Sequence, residues 1–184
     1  ADDVSEGNVL QASQDYVRNV VAHEVGHVLG LRHNFGGSVA SDISPKELDE
    51  WFAKYLTEKE APDWKDKITT NSVMEYSVFK AAVFTGWKIR TTNKVLPHDK
   101  AAIQWGYLGS TDVKDKKMLF ATDNATGRYG DVVTFDYGSE PVVAAYHKLS
   151  SSIRSLPCSV IDSFVLAKAP PAARHRLPRR AIRC

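Results

Sequence analysis

The stretch "VAHEVGHVLGLRHNF", Val21 to Phe35, sets three histidines and one glutamate inside an otherwise apolar run. A lone histidine on an apolar helix face is ordinarily a core residue with a satisfied hydrogen bond. The spacing here argues for something else. His23 and His27 stand at i and i+4, so a helix puts them on one face, about 6 Å apart along its axis. Two imidazoles so placed converge on one ion at about 2.0–2.1 Å each. Glu24 follows the first histidine, which puts its carboxylate beside the ion and not on it. This is the H-E-x-x-H arrangement. Gly30 comes three residues after His27, and His33 three after that. Glycine takes positive φ without strain, so it ends the helix and turns the chain sharply. The turn lets His33 return as a third ligand. Three neutral imidazoles leave a fourth position for water, which is the pattern of a catalytic Zn²⁺ site and not of a closed structural one.

A second element follows in "TNSVMEYSVF", Thr70 to Phe79. After an H-E-x-x-H-x-x-G-x-x-H run, Ser72-Val73-Met74-Glu75-Tyr76 resembles the Met-turn of the metzincin metallopeptidases. The resemblance implies that Met74 forms an apolar floor under the three histidines, a place that suits a flexible thioether. It also implies that Tyr76 is either a fifth ligand or a hydrogen-bond donor in the transition state. The order "HEVGHVLGLRHNFGGS", "NSVMEYS", "LPHDKAAIQWGY", "FATDN", "FDYGSEP" resembles the C-terminal catalytic part of large secreted zinc-dependent metalloproteases of the met-zincin type, from about Asn19 to about Tyr146. The chain departs from that pattern at His98, where an aromatic such as Tyr is expected. It also lacks the cysteines that often accompany the last two motifs.

What the resemblance implies is specific. The fold is α+β and zincin-like, and this chain is mostly helical, with the zinc helix and C-terminal subdomain. Only 22 residues precede His23, so most of the N-terminal sheet of a metzincin is missing. The chain is then a fragment of a longer enzyme or a shortened form. Its zinc helix would expose the apolar face that the sheet otherwise covers. The expected domains are 1–150, a partial catalytic domain, and 151–184, a C-terminal segment. The expected activity is hydrolysis of internal peptide bonds in a protein or peptide substrate. His23, His27 and His33 bind Zn²⁺, Glu24 is the general base, and Tyr76 steadies the oxyanion, with Gly30 and Met74 as structural supports. A secreted location follows from the resemblance alone.

Composition sets bounds around this reading. A chain of 184 residues with 43% hydrophobic and 25% charged content can bury a sizeable core. The net charge of +2 hides an asymmetry: Lys168, Arg174, Arg176, Arg179, Arg180 and Arg183 put +6 on residues 168–184, which leaves residues 1–167 at −4. That body offers no basic field for nucleic acid. The Pro/Arg-rich tail from Lys168 reads as disordered. No stretch approaches the roughly twenty apolar residues of a membrane span, and the polar opening "ADDVSEGNVLQ" is no signal peptide. Cys158 and Cys184 are not spaced as zinc ligands, and a paired or a free state fits them equally.

Along the chain, one helix is expected from about Ala12 to Leu29, with Val17, Val21, Val25 and Val28 packed inward. A second begins at Ser44, with Pro45 at N1 and Glu47 closing a capping box. Its apolar stripe is Leu48, Trp51, Phe52, Tyr55 and Leu56. Residues 78–96 read equally as short strands or irregular chain. A third helix starts near Pro97 and stops at Gly106 or Gly109. One strand is expected at Val132 to Asp136, and a last helix over 141–156. His98, His147 and His175 carry no role.

Two other readings compete with the endopeptidase. In one, the domain binds zinc but is inactive, a fragment or interaction module. The missing sheet favours it, and Glu24 disfavours it because a purely structural site has no use for a base. In the other, a distant glutamate is the third ligand, as in the other zincin branch; His33 argues against that.

Overall fold

The computed structural model describes residues 4–58, 62–110, 119–136, 138–140, 142, 143, 145, 146, 149, 150, 152 and 153. The chain divides into two compact units, Ala1–Val143 and Ala144–Cys184. The helices and the site below belong to the first. The basic tail, both cysteines, His147 and His175 lie outside the described residues, as does much of the helix expected over 141–156.

Four α-helices are named among the described residues: α1 Glu6–Val28, α2 Pro45–Thr57, α3 Phe79–Thr92 and α4 Pro97–Leu108. No strand occurs among them, only an isolated bridge between Thr126 and Tyr129. The mostly helical expectation therefore holds.

α2 forms for the reasons its sequence carries. The Ser44 side chain accepts from the Glu47 amide, Glu47 reaches back to the Ser44 amide, and Pro45 opens the first turn. Leu48, Trp51 and Tyr55 are buried, with Phe52 and Leu56 packed at the edge of the core. α4 begins at Pro97 and ends where Gly109 turns left-handed at φ 65°, so the later of its two possible stops is used.

Residues 78–96 contain a helix, neither strands nor irregular chain. Every residue of α3 from Ala81 to Lys88 is buried. A helix surrounded on all sides has no polar face, so the 3.6-residue period that identifies amphipathic helices is absent. α3 packs most extensively on α1, and the crossing is close: a Cβ added at Gly86 would lie 1.7 Å from the Asp15 carbonyl oxygen.

α1 differs from expectation in where it starts and in which face it buries. It starts earlier, at Glu6, and its valines point outward: Val17, Val21, Val25 and Val28 are 49–85% exposed. The buried face is Ala12, Asp15, Asn19, His23 and Gly26. These recur at helical spacing, but they are small or polar, so hydrophobic periodicity selects the wrong face. Small residues admit α3 and Met74 to the helix backbone, and the polar ones find partners.

The core gathers Trp51, Tyr55, Phe84 and Trp87 with Ala12, Ile43, Leu48, Ala81 and Val83. Trp51 is fully buried, with ring centroids 4.8 Å from Phe84 and 5.4 Å from Trp87. Its Nε1 donates to the Pro62 carbonyl at 3.2 Å. Val132 to Asp136 is not a strand. Phe135 has φ 56°, a left-handed conformation foreign to β structure and rare for an aromatic residue.

Replacing Gly86 with alanine is expected to destabilise the fold by at least about 1–3 kcal/mol, because backbone must move to admit the Cβ. Gly106, within α4, has nothing near its would-be Cβ, and alanine there is expected to add up to about 1 kcal/mol through helix propensity. Thermal melts of the two variants measure both; equal stabilities would contradict the close crossing.

Candidate metal centre

α1 ends in a two-bond turn that carries the chain back. Gly30, at φ 85°, donates its amide to the His27 carbonyl at 2.9 Å, and Leu31 donates to Gly26 at 2.9 Å. This pair of bonds is the Schellman motif. Three residues later His33 meets the two helix histidines. One ring nitrogen from each of His23, His27 and His33 lies within 4.8 Å of the others. Among the described residues this is the one such group with metal-ligand geometry.

The tautomers follow from the partners. His23 Nδ1 lies 2.8 Å from the Val73 carbonyl, His27 Nδ1 3.0 Å from the Leu31 carbonyl, and His33 Nδ1 2.9 Å from Asp123 Oδ1. Carbonyl and carboxylate oxygens only accept, so each Nδ1 carries the ring proton. Nε2 of each ring is then the nitrogen left to face a shared ion. His27 Nε2 and His33 Nε2 face each other at 3.2 Å. Two ligands of a tetrahedral zinc sit about 3.3 Å apart, given Zn–N bonds near 2.05 Å. The residues present therefore fit a zinc ion. Burial lowers the pKa of His23, with the neighbouring His27 and His33 adding to the effect, which favours the neutral ligand form.

Residues 72–76, which resemble a Met-turn, reach α1 through Met74. Met74 is fully buried, and a Cβ at Gly26 would lie 2.3 Å from its sulfur. Gly26, one residue before His27, thus lets the thioether reach the zinc helix. The Tyr76 ring lies over the histidines, with centroids 5.4 Å from His23 and 4.6 Å from His33. Tyr76 and Glu24 line a cleft of about 220 Å³ with His23, Tyr16, Asn19 and Phe135.

Several residues that hold this arrangement were not singled out in the sequence. Asp99, buried at the start of α4, accepts from Ser72 Oγ at 2.5 Å and from the Val73 amide at 2.8 Å. It fixes Val73, the residue whose carbonyl faces His23 Nδ1. The "LPHDKAAIQWGY" motif gave the signal for it, as an acid in the first turn of a helix. His98, also without an assigned role, donates its amide to Asn71 at 3.0 Å and stacks on Phe120. Asp123 comes from "FATDN", and its carboxyl is pushed down to about 2, chiefly by the hydrogen bond from His33.

The sequence profile of the Met-zincin family matches residues 7–155. The chain belongs to the Met-zincin family. Membership, with the three-histidine group, points to zinc-dependent metallopeptidase-like function. No curated protein and no solved structure matches the chain significantly.

Glu75 is a buried acid within residues 72–76 of this Met-zincin. Its Oε2 accepts from the Ser38 amide at 3.1 Å, and Ser38 Oγ donates to Asp136 at 2.6 Å. Burial, and then the negative charge of Asp136, raise the Glu75 pKa to about 8. A carboxyl whose pKa is raised on folding holds a proton that the unfolded chain releases near 4.5. Its stabilising proton is fully present below that value and is lost as pH rises through about 8. Wild-type stability is expected to fall between those limits, and Glu75→Gln to remove most of that slope. Denaturant titrations across that range measure it, and parallel profiles would refute the assignment.

Proposed function

We propose that the chain is a zinc-dependent endopeptidase, or its catalytic portion, that hydrolyses internal bonds of protein or peptide substrates. The observation that carries this reading is the approach of His27 Nε2 and His33 Nε2 to 3.2 Å, with Nδ1 of each of the three rings turned to a protein oxygen on its other side. His23, His27 and His33 are the residues that would hold the ion.

When bound, zinc supplies two effects: it lowers the pKa of a coordinated water towards 7 and polarises a substrate carbonyl. The rest is assigned to this chain's side chains. Glu24 takes the proton from the attacking water and hands it to the leaving amine. Its place at the rim of the cleft beside His23 supports that role. Tyr76 donates a hydrogen bond to the developing oxyanion, and its ring's position over His23 and His33 supports this. Met74 and Gly30 act through the histidines, the first by packing and the second by the turn. A secreted location is proposed on the resemblance. Among the described residues no helix is long and apolar enough to cross a membrane.

One observation favours a second reading, a zinc-binding module without activity. No strand occurs among the described residues, so none of these offers a strand edge to hold an extended substrate by main-chain pairing.

The two readings separate in one set of measurements. Purified wild type is expected to retain about one zinc per chain and to cleave a denatured protein substrate. Glu24→Ala is expected to keep its zinc and lose about 10²–10⁴-fold in activity. His33→Ala is expected to lose zinc. Retained zinc without cleavage by the wild type would establish the second reading, and an active Glu24→Ala would overturn the assigned mechanism.

A further inference from the structure

His33 differs from the other two histidines in what it donates to. His23 and His27 give their Nδ1 protons to neutral backbone carbonyls. His33 gives its proton to a carboxylate, Asp123, ninety positions further along the chain. A charged acceptor makes the stronger bond, fixes the ring more firmly and draws electron density towards the opposite nitrogen.

The surroundings of Asp123 are built. Asn34, the residue after His33, has no solvent exposure. Its Nδ2 donates to the Leu119 carbonyl at 3.1 Å, and its Oδ1 accepts from the Ala121 amide at 3.0 Å and the Gly36 amide at 3.2 Å. Phe35 adds a backbone bond to the Ala121 carbonyl at 2.7 Å. Residues 34–36 and 119–121 are thereby stapled together, and the 3₁₀ turn Asp123–Ala125 starts directly after the staple. The second carboxylate oxygen is also held. Thr122 Oγ1 donates to Asp123 Oδ2 at 3.1 Å, and Arg32 approaches the same oxygen at 3.5 Å. Because Asp123 meets Nδ1, it stands on the far side of the ring from Nε2 and is not itself a ligand.

We propose that Asp123 is a positioning residue of the metal centre, orienting the His33 ring and strengthening its Nε2 as a donor, with Asn34 stapling the Asp123 segment in place. The proposal rests on the three-histidine metal reading. It makes the third ligand dependent on a segment far outside the signature stretch.

The test uses the full chain and two metals. Zinc affinity is measured by competition with a chromophoric chelator for wild type, Asp123→Ala, Asp123→Asn and, as a surface-carboxylate control, Asp49→Ala. The visible d–d bands of each protein are then recorded at saturating Co²⁺. Asp123→Ala is expected to bind zinc about 10–100-fold more weakly and to shift the cobalt bands, with at most a small drop in its metal-free melting temperature. Asp123→Asn keeps an acceptor without the charge and is expected to recover part of the affinity. Asp49→Ala is expected to change nothing. A merely structural role would lower the metal-free melting temperature and leave the cobalt bands in place, which would overturn the proposal. So would wild-type zinc affinity in Asp123→Ala. A wild type that binds neither metal would sink the metal reading itself, and the proposal with it, a result distinct from the other two.

Discussion

Asp15 has no solvent exposure, and a carboxylate taken out of water is tolerated only when its lone pairs are filled. Here they are filled from three helices. Arg90 on α3 donates from Nε and Nη2 to the two oxygens, both at 2.9 Å, and Tyr55 on α2 donates at 2.7 Å. Arg18, one turn on along α1, pairs with the same group. Burial and the contact with Asp15 push the Tyr55 hydroxyl well above its usual pKa, so it remains a donor. Removing one partner would strand a buried charge, so the three helices are bound to one mutual arrangement. Asp15, Asn19, His23 and Gly26 follow one another on the buried face of α1. The clamp at Asp15 therefore sets the rotation of α1 about its own axis. That rotation decides where His23 and His27 project.

From there the site is completed by hydrogen bonds that reach each histidine from a different part of the chain. His23 is held by the Met-turn, which is held by Asp99 at the start of α4. His27 is held by the carbonyl of Leu31, which the Schellman turn delivers. His33 is held from the segment after residue 118. Each ring is thus oriented by a protein group on the side away from the shared Nε2 position.

How much of this the sequence carries depends on the kind of signal. The convergence of the three histidines was legible because a helix turns i, i+4 into one face and glycine turns the chain. α2 was legible because its cap and its stripe are both written in side chains. α3 was not, since total burial erases the period that marks a helix. Phe135 was read as part of a strand because its neighbours are β-branched and aromatic, and nothing local announces a left-handed backbone. The acceptors of the histidine protons were the least legible. Two are backbone carbonyls, which no residue type encodes. The third is one aspartate among many, identified only once Asn34 joins its segment to residues 34–36.

The outward valines of α1 are the sharpest disagreement, and they connect back to the chemistry. At about 100° per residue, Val17, Val21, Val25 and Val28 lie roughly opposite Asp15, Asn19 and Gly26 on the helix. Glu24 falls between the two faces, next to the histidines on one side and the valines on the other. So long an apolar stripe on one helix face is the kind of surface that marks an interface. Any surface laid against the valines would therefore also border Glu24. It would shield the helix and narrow the water around the residue assigned as base, strengthening electrostatic interactions there. The apolar face and the histidine face of α1 thus meet at Glu24.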